Sequence, residues 1–271
     1  MKNKSLLLSI PYLLWMLAFT LIPLGVVVYY ALTDPGTGEF TWANLRSIGT
    51  YLPVFGSSIG YSLVSAAVCL LLGYPVACFI ARRSPTAQKL LYMLVMLPMC
   101  MSFLLRTMAW VGLLQDTGII NGFLGKLGFR PLKLIRTPAA VVLGMVYNYL
   151  PYMILPLYST IVKIDHRLVE AAQDLGCNSL QVFRRVTLPL SVPGILSGVT
   201  MVFVPAVSTF YISQKLGGTD TILIGDVIER QFKQGNNANL GAALSLVLMV
   251  LVFVCTGIMN RFAGEQEEVI A

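Results

Sequence analysis

Six apolar runs, residues 6–32, 57–81, 90–114, 138–161, 190–212 and 240–259, follow one another along this 271-residue chain with short polar stretches between them. A helix rises about 1.5 Å per residue, so crossing a hydrocarbon core about 30 Å thick takes about 20 residues. Each run is long enough. A membrane β-strand would alternate in polarity over segments of about 10 residues, whereas these runs are apolar on all sides. Charged residues make up 11% of the chain and hydrophobic ones 56%, against about a quarter charged in soluble domains. The pattern predicts an all-α membrane protein with six transmembrane helices. No Ser/Gly/Pro-rich linker interrupts it, which predicts one transmembrane domain over residues 1–271.

The amino-terminal run continues to Leu32 without a small-x-small cleavage site, so it reads as a retained first helix. An inside amino terminus places ten of the 19 Lys and Arg residues on the cytoplasmic side, Lys2, Lys4, Arg82, Arg83, Arg184 and Arg185 among them. The tally is nearly even, but Lys2 and Lys4 precede the first helix and only Arg46 lies in the next loop, which favours both termini cytoplasmic. Cys69, Cys78, Cys100, Cys177 and Cys255 lack CxxC spacing, and four of them lie in apolar runs as small hydrophobes. Eight prolines inside the runs, from Pro11 to Pro205, predict bent helices, either lining a path or simply tolerated as in many membrane helices.

The polar stretch EAAQDLGCNSLQVFRRVTLP, residues 170–189, stands out against this background. Asp165 is a good N-cap, and Leu168, Ala172 and Leu175 recur at helical spacing, predicting a short amphipathic helix that Gly176 ends in a left-handed conformation. Asn178 and Gln181 have capping-box spacing, and Leu180, Phe183 and Thr187 continue a second helix until Pro189 stops it. Ala171, Ala172 and Gly176 keep one side nearly flat, while Glu170, Asp174, Arg184 and Arg185 offer charge at the rim. The segment reads as a docking knob on the cytoplasmic face or as an ordinary interfacial helix.

Glu170-Ala171-Ala172, then Gly176, then Leu188-Pro189 resemble the EAA motif of bacterial ABC importer inner-membrane permeases, whose pattern is EAA, three residues, Gly, nine residues, Ile, one residue, Leu-Pro. Only Val186, in place of Ile, departs from it. Residues 97–121, 147–161 and 216–232 are similar to segments of the B-type spermidine/putrescine permeases of this family. The resemblance implies the type I ABC importer permease fold, with cytoplasmic coupling helices between helices 4 and 5. It also implies a multi-pass protein of the bacterial cytoplasmic membrane, whose loop 163–189 couples to a separate ATPase through Glu170, Ala171, Ala172, Asp174, Gly176, Leu188 and Pro189. The implied partners are a second permease subunit, a homodimer of ATP-binding subunits, an extracytoplasmic substrate-binding protein and membrane lipid, with no nucleic acid. Sulfate, ferric iron and phosphonate are the alternative cargoes of such a permease.

The absences agree with that expectation. No GxxxxGK[ST] loop is present, so ATP and Mg would be bound by the partner ATPase, with no cofactor on this chain. His166 is the only histidine, which rules out HExxH, and no GxSxG appears. An enzyme is disfavoured. An independent carrier or channel would be expected to show repeated halves, which are not evident, and a membrane scaffold is the third reading. For a cationic cargo, Tyr147, Tyr149, Phe210 and Tyr211 offer ring faces on helices four and five. Asp226 and Glu229, three apart on a helix, offer a carboxylate face, with Asp220 nearby, or else a solvated loop balanced by Lys215, Arg230 and Lys233. Gln214 stands where some family members carry an acidic residue. Arg106 is expected to be a structural or gating charge near the outer end of helix three, snorkelling outward or facing an acidic or carbonyl partner.

Overall fold

The computed structural model describes residues 2–270 apart from 220, 235 and 236, and the side chains of 2–10, 13, 166, 260 and 262–270 fall outside that description, as does Asp220. The elements are α1 (Lys2–Ala31), α2 (Ala43–Ser47), α3 (Leu52–Ala81), α4 (Pro85–Met96), α5 (Phe103–Leu114), α6 (Ile119–Lys126) and α7 (Pro138–Ile161). They continue with α8 (His166–Asp174), α9 (Ser179–Val182), α10 (Leu188–Leu190), α11 (Val192–Val207), α12 (Tyr211–Leu216), α13 (Ile224–Lys233) and α14 (Ala238–Ile270). The chain groups into two compact units: residues 1–53 with 227–251, and residues 54–226 with 252–271.

In the smaller unit, the end of α1 leaves carbonyls without helical donors, and two asparagines meet them. Asn44 Nδ2 donates to the Ala31 and Thr33 carbonyls, and Asn239 Nδ2 donates to the Thr33 carbonyl at 2.6 Å. The following turn closes on Asp34, whose carboxyl is held below its usual pKa by the N–H groups of Gly36 and Thr37.

The larger unit is built on α7 and α11, which pack along their length. Gly194 and Gly198, one turn apart on α11, make this possible. A Cβ at Gly194 would lie 2.6 Å from Thr160 Oγ1 and 3.0 Å from the Pro156 carbonyl, and one at Gly198 would lie 2.7 Å from Met153 Sδ. In a membrane, where apolar surface gains nothing by leaving lipid, such close backbone approach is the main source of helix association. Met145, Met153, Leu157, Val202 and Ala206 fill the core around it.

Among the described residues, four helical stretches are apolar and long enough to cross a membrane: Leu14–Ala31, Ala43–Ala81, Pro138–Ile161 and Ala238–Met259. The two other expected spans are broken. Pro85–Cys100 and Phe103–Lys126 meet at 86°, and Ser179–Leu190 and Val192–Val207 meet at 63°. At the first break Pro98 sits in a tight turn that runs into extended backbone at Met101. At the second, Pro193 cannot donate to the Pro189 carbonyl four residues back, and Ser191 Oγ bonds the Leu188 carbonyl. With the runs 90–114 and 190–212, the number of spans reaches six only if each bent pair counts as one.

Candidate functional site

The polar stretch folds as two short helices held by their own caps. Asp165 accepts from the Arg167 N–H at 3.0 Å and starts α8. At the other end Gly176 has φ +84°, its N–H bonds the Gln173 carbonyl at 2.8 Å, and the Cys177 N–H bonds the Ala172 carbonyl at 3.0 Å. This pair of bonds is the Schellman closure, which needs a left-handed residue at that position. Asn178 and Gln181 then exchange hydrogen bonds at 2.8 and 2.9 Å and start α9, as their spacing predicted.

Pro189 does not end the second helix. The chain stays helical through Leu190 because the turn Phe183–Thr187 widens, with the Leu188 N–H bonding the carbonyl of Phe183 five residues back. In a regular helix the Pro189 ring would collide with the Arg185 carbonyl, and the wide turn relieves that clash.

The apolar positions of α8 and α9 are largely open. Leu168 is exposed, Leu175 is 86% exposed and Leu180 72%, alongside exposed Glu170, Ala171 and Asp174. Val169 and Gln173 face a cavity of about 530 Å³, together with Val182 and Phe183. Charges, the methyl-sized side chain of Ala171 and three bare leucines are thus exposed together, a composition suited to a protein groove rather than to water.

The loop is tied to α3 through Tyr74. Its hydroxyl pairs with Ser191 Oγ at 2.8 Å, at the 63° bend, and its ring meets Phe183 edge-on at 5.5 Å. Nothing in the sequence marks Tyr74 for this task. Of the remaining motif residues, Leu188 is half-buried against the core and Pro189 is exposed.

The expected pathway residues are partly brought together, and α5 is what connects them. Phe103 meets Tyr211 at 6.2 Å and Trp110 meets Tyr147 at 5.4 Å between ring centroids. Phe103 and Trp110 are two turns apart on one face, so the two aromatic pairs stand roughly 10 Å apart along α5. Neither ring was singled out from the sequence, although their spacing of seven was the available signal. Phe210 and Tyr211 lie beyond the end of α11, at the start of α12, and not on a fifth spanning helix. Tyr149 is buried, its hydroxyl donating to the Pro205 carbonyl at 3.3 Å. The Lys215 ammonium stands 5.7 Å from the centre of the Tyr211 ring.

Asp226 and Glu229 share α13 but form no open acidic face. Asp226 is 2% exposed, and its Oδ2 accepts from the Leu223 N–H at 2.9 Å, as a carboxylate in a first helical turn is drawn to do. Glu229 pairs with Lys233, one turn on, at 2.6 Å. Arg106 lies on α5 between the two aromatic pairs and is 7% exposed. Its Nε and Nη1 meet no acceptor among the described residues, so the partner expected from the sequence is not found there.

The two short helices thus form an exposed, doubly capped knob joined to a bent apolar helix. The profile of the family described as binding-protein-dependent transport system inner membrane component matches residues 73–264, and the chain belongs to that family. It is an ABC importer permease, not itself an ATPase. It is 39% identical to the spermidine/putrescine transport system permease protein PotB of Haemophilus influenzae over 247 residues, 88% of this chain and 86% of that one. The PotB protein of Escherichia coli is 40% identical over 204 residues, 74% of each chain. The inner membrane ABC transporter permease protein YdcU of Escherichia coli is 30% identical over 90% of this chain and 83% of its own length. Among solved structures, a bacterial ABC transporter involved in alginate import superposes with a TM-score of 0.76 at 20% identity, covering 97% of this chain and 96% of that one. A methionine ABC transporter matches with a TM-score of 0.63 at 16% identity, over 82% of this chain and 98% of its own. These two likenesses establish the fold.

Proposed function

We propose that this permease moves polyamines of the spermidine/putrescine kind, with both termini cytoplasmic and a second permease subunit completing the pathway. The observation that carries the reading is the identity to spermidine/putrescine permeases, which extends over nearly the whole chain. ATP and Mg are handled by a pair of ATP-binding subunits docked on the exposed face of α8 and α9. An extracytoplasmic binding protein delivers the cargo.

In this reading Glu170, Ala171, Ala172, Asp174 and Gly176 form the contact with the ATPase. Leu188 and Pro189 carry its displacement into α11. Tyr147, Phe210 and Tyr211 offer ring faces to ammonium groups, each worth about 0.5 to 2 kcal/mol without the desolvation penalty of a buried carboxylate. Tyr149 fixes the wall behind them through its bond to Pro205. Lys215 already occupies the Tyr211 ring as a tethered ammonium, so cargo enters by displacing it. Asp226 supplies buried negative charge at the head of α13, and Glu229 serves its ion pair with Lys233.

The test is purification of the whole assembly, reconstitution in vesicles, and ATP-driven uptake of labelled spermidine and putrescine presented on the binding protein. Saturable uptake of either supports the assignment. Uptake of sulfate, phosphonate or ferric iron in place of polyamine overturns the cargo and leaves the permease.

A further inference from the structure

The cytoplasmic end of α3 carries a groove that the transport reading does not use. It has a volume of about 700 Å³ and is walled by Tyr74, Pro75, Phe79 and Phe183, with Arg82 and Arg83 at one end. It shares Cys78, Arg82 and Phe183 with the cavity under the coupling helices. No Asp or Glu lines either space. A polyamine would find nothing there, whereas an anion would.

The groove has two chemical zones in the order a phospholipid requires. Leu71, Leu72, Pro75, Val76 and Phe79 form an exposed apolar stripe on α3, with Phe79 50% exposed. The stripe runs straight into the two arginines, over roughly 18 Å from Leu71 to Arg83, a length comparable to an acyl chain. Both guanidinium groups are solvent-facing. The Arg83 guanidinium lies 4.1 Å from the centre of the Phe79 ring, stacked where the apolar and charged zones join. The turn that carries them is held rigid by Gln88, whose Nε2 donates to the Ala81 and Arg83 carbonyls and whose Oε1 accepts from Tyr158. Arginine pairs on a fixed turn are suited to bidentate phosphate recognition.

We propose that this groove binds an anionic phospholipid, its phosphate on Arg82 and Arg83 and one acyl chain along Pro75 and Phe79. Because Phe183 and Tyr74 form its inner wall, the lipid also braces the segment that joins the coupling helices to α11. An occupied groove therefore favours the coupled arrangement of the loop.

The test uses the complete transporter in phosphatidylcholine nanodiscs with and without phosphatidylglycerol. Native mass spectrometry should detect retained phosphatidylglycerol, and each loss of one arginine, Arg82→Gln or Arg83→Gln, should weaken retention about fivefold, the equivalent of about 1 kcal/mol per basic residue near an anionic surface. In sealed vesicles of the same two lipid compositions, uptake per ATP hydrolysed should rise with phosphatidylglycerol in the parent protein and not in the variant carrying both substitutions. Lys126→Gln and Arg130→Gln, remote in sequence from the groove, should retain lipid like the parent. Equal retention in all variants overturns the proposal. So does displacement of the lipid by inorganic phosphate alone, which would make this a free-anion site. Efficient cross-linking of Phe79→Cys to another subunit would also overturn it, because protein would then fill the groove.

Discussion

Replacing Gly176 tests the coupling assignment at the point where the structure allows a magnitude to be worked. With φ at +84°, an L-residue there pays about 1 to 2 kcal/mol, with β-branched side chains at the upper end and asparagine well below it. A Cβ meets nothing within 4 Å, so the cost is purely conformational and no steric effect confuses it. If the residue escapes to negative φ instead, the closing bonds at 2.8 and 3.0 Å are lost, each worth about 0.5 to 1.5 kcal/mol net. By the first route the knob loses about 5- to 30-fold in preference for its docked shape, and by the second, at about 1 to 3 kcal/mol for both bonds, about 5- to 160-fold. The capping box of α9 and the core of the larger unit are untouched, so the protein should still reach the membrane. The expected order of uptake is Gly176→Asn near the parent, Gly176→Ala lower and Gly176→Val lowest, measured per assembled complex, with ATPase association weakened in the same order. Equal behaviour of the Asn and Val variants, or losses accounted for entirely by membrane level, would refute the reasoning.

Glu170→Ala should leave the permease assembled in the membrane but reduce co-purified ATPase and uptake together; unchanged uptake would remove Glu170 from the contact. Gly198→Leu forces a side chain into Met153 and should cost about 1 to 3 kcal/mol or more, read as a lower unfolding temperature of the purified complex. Tyr211→Ala and Asp226→Asn should each lower polyamine uptake while basal ATP hydrolysis persists, and Lys215→Met should lower the KM for spermidine by freeing the ring; a raised KM would show that Lys215 does not compete with cargo. Arg106→Met should leave spermidine uptake intact and raise the unfolding temperature, since a buried guanidinium with two unmet donors costs more than an apolar chain of similar volume. A drop in unfolding temperature would place its acceptor on another subunit.

The parts of the fold that were legible in the sequence are those fixed by local chemistry. The capping box at Asn178 and Gln181 and the left-handed Gly176 were readable because each depends on residues within five positions of one another. Hydropathy placed the apolar runs but not their bends. A run such as 190–212 has the same composition whether straight or broken at Ser191, and the break depends on the donor Pro193 lacks and on the bond Ser191 makes to Tyr74. The exposure of Leu168, Leu175 and Leu180 was not legible, because apolar periodicity reports which residues share a side, not whether that side meets the core or a partner. Tyr74 was unreadable in a different sense: it acquires its role from Ser191, 117 positions away.

Under the proposed coupling, those long-range bonds would let a knob of two short helices move a membrane helix. Two helices of nine and four residues are marginal by themselves, and their caps supply the order that length does not. From Asn178 to Leu190 the chain is one continuous helical path, so a displacement of the knob is passed on and not absorbed in a flexible loop. The 63° bend at Ser191 then changes its direction. Ser191 is the one residue there with bonds on both sides, to the Leu188 carbonyl behind it and to the Tyr74 hydroxyl across from it. Beyond it Gly194 and Gly198 press α11 against α7, so rotation of α11 must slide along glycine surface, the contact with the fewest side chains to unlock. The soft element is therefore the Ser191 hydroxyl pair, and the stiff element is the capped knob with the helical path that follows it. Tyr74→Phe isolates this step, because it removes one hydroxyl, keeps the ring against Phe183, and leaves the ATPase contact intact. The expected result is normal ATPase association with reduced uptake per ATP hydrolysed. Unaltered stoichiometry would mean that the bend is fixed by Pro193 alone and that the Tyr74 bond transmits nothing.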